Sequence, residues 1–111
     1  MKRAKEYAAQ YRNEPTDKTL AKIATAFFSE VADLMETRCP EKRPSHGAVT
    51  AILDEQDRKW RAFAEYFPGI IRPDGFELLL KKNNPDGYAL WRGPLAKTAK
   101  DYFAATERRR R

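Results

Sequence analysis

Cysteine is nearly absent from this chain. Cys39 stands alone among 111 residues, so an internal disulfide is excluded and a reducing compartment is suited, with the cytoplasm as the expectation. Histidine is as scarce: His46 is the single one, and with Cys39 it supplies only two of the four ligands that structural zinc takes. Long apolar runs are also missing. The longest reach a few residues, against the ~20 that a membrane helix needs. The start, Met1-Lys2-Arg3-Ala4-Lys5-Glu6, has basic residues with no apolar stretch behind them, which does not fit a secretory signal. No low-complexity segment occurs apart from Arg108–Arg111. What remains is 41% hydrophobic and 34% charged, the make-up of one small globular domain. It is expected over residues 1–107, followed by a basic tail at 108–111.

The net charge of +6 lies at the ends. Residues 1–15 carry four basic against two acidic side chains, and residues 93–111 carry six against two. Between them, residues 16–92 hold twelve of each sign and are neutral. A terminal run such as Arg108, Arg109, Arg110 and Arg111 can pair with phosphate oxygens or stand as a solvated tail.

Helical periodicity dominates the first two thirds. Ala4, Tyr7, Ala8 and Tyr11 form a narrow stripe over 2–12, closed by Asn13-Glu14-Pro15. Thr16 or Asp17 then caps a helix over 17–38, since a short side-chain oxygen satisfies the open amides of a first turn. Its apolar face is Leu20, Ile23, Ala24, Phe27, Val31, Leu34 and Met35, and Phe28 widens the stripe toward a second side. Cys39-Pro40 ends it, because the residue before a proline is driven out of helical geometry. Ser45 is the expected cap of a third helix reaching Phe67, with Val49, Ile52, Leu53, Gln56, Trp60, Phe63 and Phe67 inward. Asp54 and Arg58, Glu55 and Lys59, and Asp57 and Arg61 are spaced at i, i+4 on what reads as a solvated face, each pair worth about 0.2–0.5 kcal/mol. Pro68-Gly69 stops the helix.

A repeated tetrapeptide follows, Pro73-Asp74-Gly75-Phe76 and Pro85-Asp86-Gly87-Tyr88. Proline, aspartate and glycine in this order are tight-turn residues. The second copy therefore predicts the loop of an antiparallel β-hairpin, with strands at 76–82 and 88–92 and a tip rich in lysine and asparagine. Alternation puts Leu79 and Trp91 on the outer hairpin face. A last helix is expected from Gly93-Pro94, with Leu95, Ala99, Tyr102 and Phe103 as its stripe. The fold class is thus helix-dominated α+β, about four helices (two long) with one hairpin near 76–92 packed on them. That order is similar in outline, over roughly 16–92, to winged-helix domains, a resemblance implying a hairpin tip at the DNA backbone. The paired charges at 54–61 depart from the basic recognition helix of that pattern.

No constellation points to catalysis, a cofactor or a metal. Cys39 and His46 lack a third group to orient them. Asp54, Glu55 and Asp57 each have a basic neighbour. The combination of Asp74, Glu77 and Lys81 resembles a metal-dependent nuclease pattern only faintly, with the wrong spacing. Tyr66, Phe67, Tyr88, Trp91, Tyr102 and Phe103 read as core before they read as stacking platforms. The expectation is a non-enzymatic binding protein without a membrane role. Two partner classes are in view, nucleic acid first, because the basic ends and the Lys81-Lys82 tip share one sign, and a protein partner as the alternative. Nucleic acid would meet Lys81, Lys82, Asn83, Asn84, Arg92 and Arg108–Arg111; a protein partner or a second copy would meet Phe28, Leu79 and Trp91.

Overall fold

A computed structural model of the chain describes residues 1–40 and 44–92. Over these residues the chain forms five helices: α1 (Ala4–Asn13), α2 (Asp17–Arg38), α3 (His46–Ala64), α4 (Gly75–Asn83) and α5 (Pro85–Trp91). The expected last helix from Gly93 and the tail Arg108–Arg111 lie outside the described residues.

The first three helices follow their sequence signals. Thr16 caps α2, its Oγ1 accepting from the Thr19 amide at 3.2 Å, and Ser45 caps α3 by accepting from the Ala48 amide at 3.1 Å. Most of each stripe buries as its spacing predicts: Tyr7, Ala8 and Tyr11 from α1, Ile23, Ala24, Phe27 and Leu34 from α2, and Val49, Ile52, Leu53, Gln56, Trp60 and Phe63 from α3, whereas Ala4, Leu20, Val31, Met35 and Phe67 of the expected faces are half-buried. Helix α3 closes at Ala64, a turn earlier than expected, and Gly69 at φ 78° makes the left-handed bend after it.

The hairpin does not exist: no strand occurs among the described residues, so the fold class is all-α rather than α+β. Both Pro-Asp-Gly copies open helices. In the second, Asn84 is the N-cap, its Oδ1 accepting from the Gly87 amide at 3.0 Å, and Pro85 occupies the first turn. A proline there loses no hydrogen bond, and Asp86 sits at the positive end of the helix dipole. In the first copy the register is shifted by two residues: Asp74 is the N-cap and Gly75 begins the helix. Gly75 serves contact rather than turning. A Cβ there would lie 2.6–2.8 Å from the Trp60 indole, whose Nε1 donates to the Arg72 carbonyl at 2.8 Å. The run Phe76-Glu77-Leu78-Leu79-Leu80 fits a period of 2 and one of 3.6 equally, and packing selects the helix, with Phe76 and Leu80 buried. Lys81 and Lys82 then fall in the last turn of α4, where cations complement the dipole. They mark no hairpin tip, and the winged-helix outline loses its wing.

The core is aromatic. Phe27 and Phe63 are wholly buried. The Phe27 ring stands 4.9 Å from Tyr7, 5.1 Å from Trp60 and 6.5 Å from Phe76, joining α1, α3 and α4 through one side chain of α2. Edge-to-face and tilted pairs of this kind add about 0.5–1.5 kcal/mol each beyond the area they bury. A smaller cluster of Leu34, Cys39 and Ile52 closes the far end of α2 against α3.

Candidate functional site

Two polar clusters and one apolar groove are the features with chemical character. The first cluster surrounds Glu30, a buried carboxylate on α2. Tyr7 Oη donates to Glu30 Oε1 at 2.5 Å, Gln56 Nε2 donates to Glu30 Oε2 at 3.1 Å and to the Phe27 carbonyl at 3.0 Å, and Lys59 Nζ pairs with Glu30 Oε2. Lys59 also reaches the Lys2 carbonyl at 3.0 Å. Burial alone would push the Glu30 carboxyl upward; the donated bonds from Lys59, Tyr7 and Gln56 outweigh it and hold the carboxyl below its ordinary range. Burial and the adjacent Glu30 charge push the Tyr7 hydroxyl far up. Both carboxylate oxygens are occupied, and the group is closed to solvent. Such a cluster ties α1, α2 and α3 together and offers nothing to a substrate.

The second cluster corrects the reading of α3 as a solvated, internally paired face. Of the three i, i+4 pairs, Asp57 with Arg61 forms, at 3.0 Å. Glu55 instead takes Arg38 of α2 at 2.5 and 3.2 Å, and Lys59 turns inward to Glu30. Asp54 accepts from Trp91 Nε1 at 2.6 Å. Asp57 is buried, and Arg92 approaches it at 3.4 Å, Asp54 at 3.9 Å and Glu77 at 4.0 Å. This face of α3 is the seat of α4 and α5. Asp74 is paired with Arg72 at 3.0 Å, and no three His, Cys, Asp or Glu side chains converge as metal ligands do among the described residues.

The expected nucleic-acid residues are not gathered into one surface. Lys81, Lys82, Asn83 and Asn84 are exposed at the α4–α5 junction. Asn84 is spent on its cap, Asn83 donates to the Leu79 carbonyl at 2.8 Å, and Lys81 lies over the Tyr88 ring at 5.4 Å. Arg92 stacks on Trp91 at 4.1 Å and faces the three carboxylates above. A phosphate would have to displace them. Arg108–Arg111 lie outside the described residues.

The three expected interaction residues divide differently. Trp91 is 7% exposed, because one turn of helix places it inward where strand alternation places it outward. Phe28 and Leu79 are half-buried and do meet at one surface. That surface is a groove between α2 and α4. At one end Leu20, Ala21 and Ala24 face Ile70, Leu78 and Leu79 around an open hollow of about 420 Å³. In the middle Thr25 and Phe28 face Leu79 and Lys82. At the other end Phe28, Val31 and Met35 face Leu80, Asn83 and Gly87 around about 560 Å³. The three stretches share lining residues and run from Leu20 to Met35, about 22 Å at 1.5 Å per residue.

Along this groove Ala21, Ala24, Phe28, Val31 and Met35 repeat at alternating spacings of three and four, the seam spacing of helix-on-helix packing. Ile70 is 68% and Leu78 42% exposed at its mouth. Sequence reasoning found Phe28 through the widened stripe on α2. It missed Ile70 and Leu78, the latter because alternation turned it inward. No protein-family model, curated protein or solved structure matches the chain, so the site rests on these residues.

Proposed function

We propose that this is a non-enzymatic interaction module that takes a helical segment of a protein into the α2–α4 groove. The observation carrying this reading is a row of three adjoining hollows along α2, apolar at both ends and bordered in the middle by Thr25, Lys82 and Asn83, with a heptad-spaced floor and large apolar side chains left open at its mouth. Monomeric proteins seldom leave such surface uncovered unless it binds something. An amphipathic helix laid in a groove is a recurring recognition mode. Charge argues in the same direction. The sequence is neutral over 16–92, and Arg92, one of the expected phosphate contacts, is already matched by carboxylates. No helix among the described residues is long and apolar enough to cross a membrane. The single buried thiol suits the cytoplasm.

The test is a pair of affinity measurements on the full chain. Helical peptides selected from a random library should bind with micromolar affinity and lose at least about tenfold on Ala21→Arg or Ala32→Arg, both small exposed positions of the groove wall. DNA and RNA should show no steep salt-dependent binding. Phosphate-driven affinity that survives in a chain ending at Glu107 and is lost on reversing Lys81 and Lys82 would overturn the proposal.

A further inference from the structure

We infer that the groove takes an amphipathic helix laid antiparallel to α2, with large apolar side chains at i and i+11 and a carboxylate between them at i+7. This rests on the groove being an interaction face and adds the chemistry of its occupant.

The three hollows are spaced along α2 as the holes of a helix pair are. Their α2 walls are Asp17, Leu20, Ala21 and Ala24; then Ala21, Ala24, Thr25 and Phe28; then Phe28, Val31, Ala32 and Met35. Each set has the form n, n+3, n+4, n+7, with n at 17, 21 and 28. Four residues in that diamond form the hole that receives one side chain of a facing helix. An antiparallel helix therefore enters them with i, i+7 and i+11, roughly 16 Å from end to end at 1.5 Å per residue. These three positions lie within about 40° of one another around its axis, on one face.

The lining decides what each position carries. The hollows of about 560 Å³ at the Met35 end and about 420 Å³ at the Leu20 end are floored by apolar side chains. They take the two large apolar residues, the larger at i. The middle position faces Lys82, which is exposed and enters no ion pair among the described residues. Beside it Thr25 Oγ1 and Asn83 Nδ2 already donate to the Ala21 and Leu79 carbonyls, at 2.9 and 2.8 Å. The ammonium thus sets the sign there, and a carboxylate answers it. Direction follows from the walls. Helices α2 and α4 run the same way along the groove, from Leu20 and Gly75 at one end to Met35 and Asn83 at the other. Their dipoles add, which favours an occupant running the opposite way, with i at the Met35 end.

A synthetic helical peptide of about eighteen residues in an alanine–glutamine background, with phenylalanine at i, glutamate at i+7 and leucine at i+11, tests this. It should bind the full chain with micromolar affinity in fluorescence anisotropy. Moving the leucine to i+10 turns it about 100° from its hollow and should weaken binding at least about tenfold. Lys82→Glu, with its helical circular dichroism unchanged, should weaken the peptide about threefold. A peptide with lysine at i+7 should instead prefer the Lys82→Glu chain to the wild type. A nitroxide at the peptide's N-terminus should broaden amides around Met35 and Asn83, and one at its C-terminus those around Leu20 and Leu78. Equal binding of the i+10 peptide, no reversal of preference, or broadening at the opposite ends overturns the pattern. If library-selected peptides bind the groove without it, the pattern fails and the interaction module stands; if neither binds, both fall.

Discussion

The two flanks of α2 were built for different ends. On one flank α1 and α3 close over it, and its buried carboxylate is fully partnered: Glu30 receives Tyr7, Gln56 and Lys59. On the other flank α4 meets it through Phe76, 6.0 Å from Phe28 and 6.5 Å from Phe27. There the helix keeps Ala21, Thr25 and Ala32 exposed to solvent. A buried carboxylate with a full set of donors fixes register and spends its chemistry internally. An apolar floor with no cover has its contacts still to make. On the proposed reading, stability and interaction are separated across the width of one helix.

That separation can be broken from the stable side first. Phe27→Ala removes the ring through which α1, α3 and α4 meet, and should cost about 3–5 kcal/mol in denaturant unfolding. Lys59→Met leaves the Glu30 charge buried with two neutral donors, and should cost about 3 kcal/mol. The same cluster sets a pH dependence. Because Glu30 is held below its ordinary range in the fold, its contribution is present above the unfolded carboxylate range and is lost as pH falls through the lowered folded value. Glu30→Gln should flatten acid unfolding over that interval. Gly75→Ala drives a Cβ into the Trp60 ring and should lower stability by about 1–3 kcal/mol, at the seam where α4 seats on α3. From the open side the effects should nearly vanish. Ala21→Arg and Ala32→Arg should change unfolding by no more than about 0.5 kcal/mol while removing binding.

Three helices were legible in the residues from an apolar period near 3.6, and for α2 and α3 a second, independent signal agreed, the caps at Thr16 and Ser45. The last two were not. Five residues from Phe76 to Leu80 suit either period, and Pro-Asp-Gly opens a helix as readily as it turns a hairpin. What decides is a tertiary contact, the Trp60 indole resting where a Gly75 side chain would be. The misread period carried through to the site: it sent Trp91 outward, where Asp54 and the core hold it inward, and Leu78 inward, where it lies open. The charges of α3 misled for a related reason, since spacing along one helix says nothing of Arg38, Glu30 or Trp91 arriving from others. Phe28 was visible because it exceeded what a single buried stripe requires.

The most direct test of this division is an amide NMR map of the full chain on adding a selected helical peptide. Shifts should be confined to the α2 stripe from Leu20 to Met35 and to α4 from Leu78 to Asn83, with Tyr7, Glu30 and Gln56 unmoved. Shifts centred on the Tyr7–Glu30–Gln56 flank, with the groove residues silent, would contradict it.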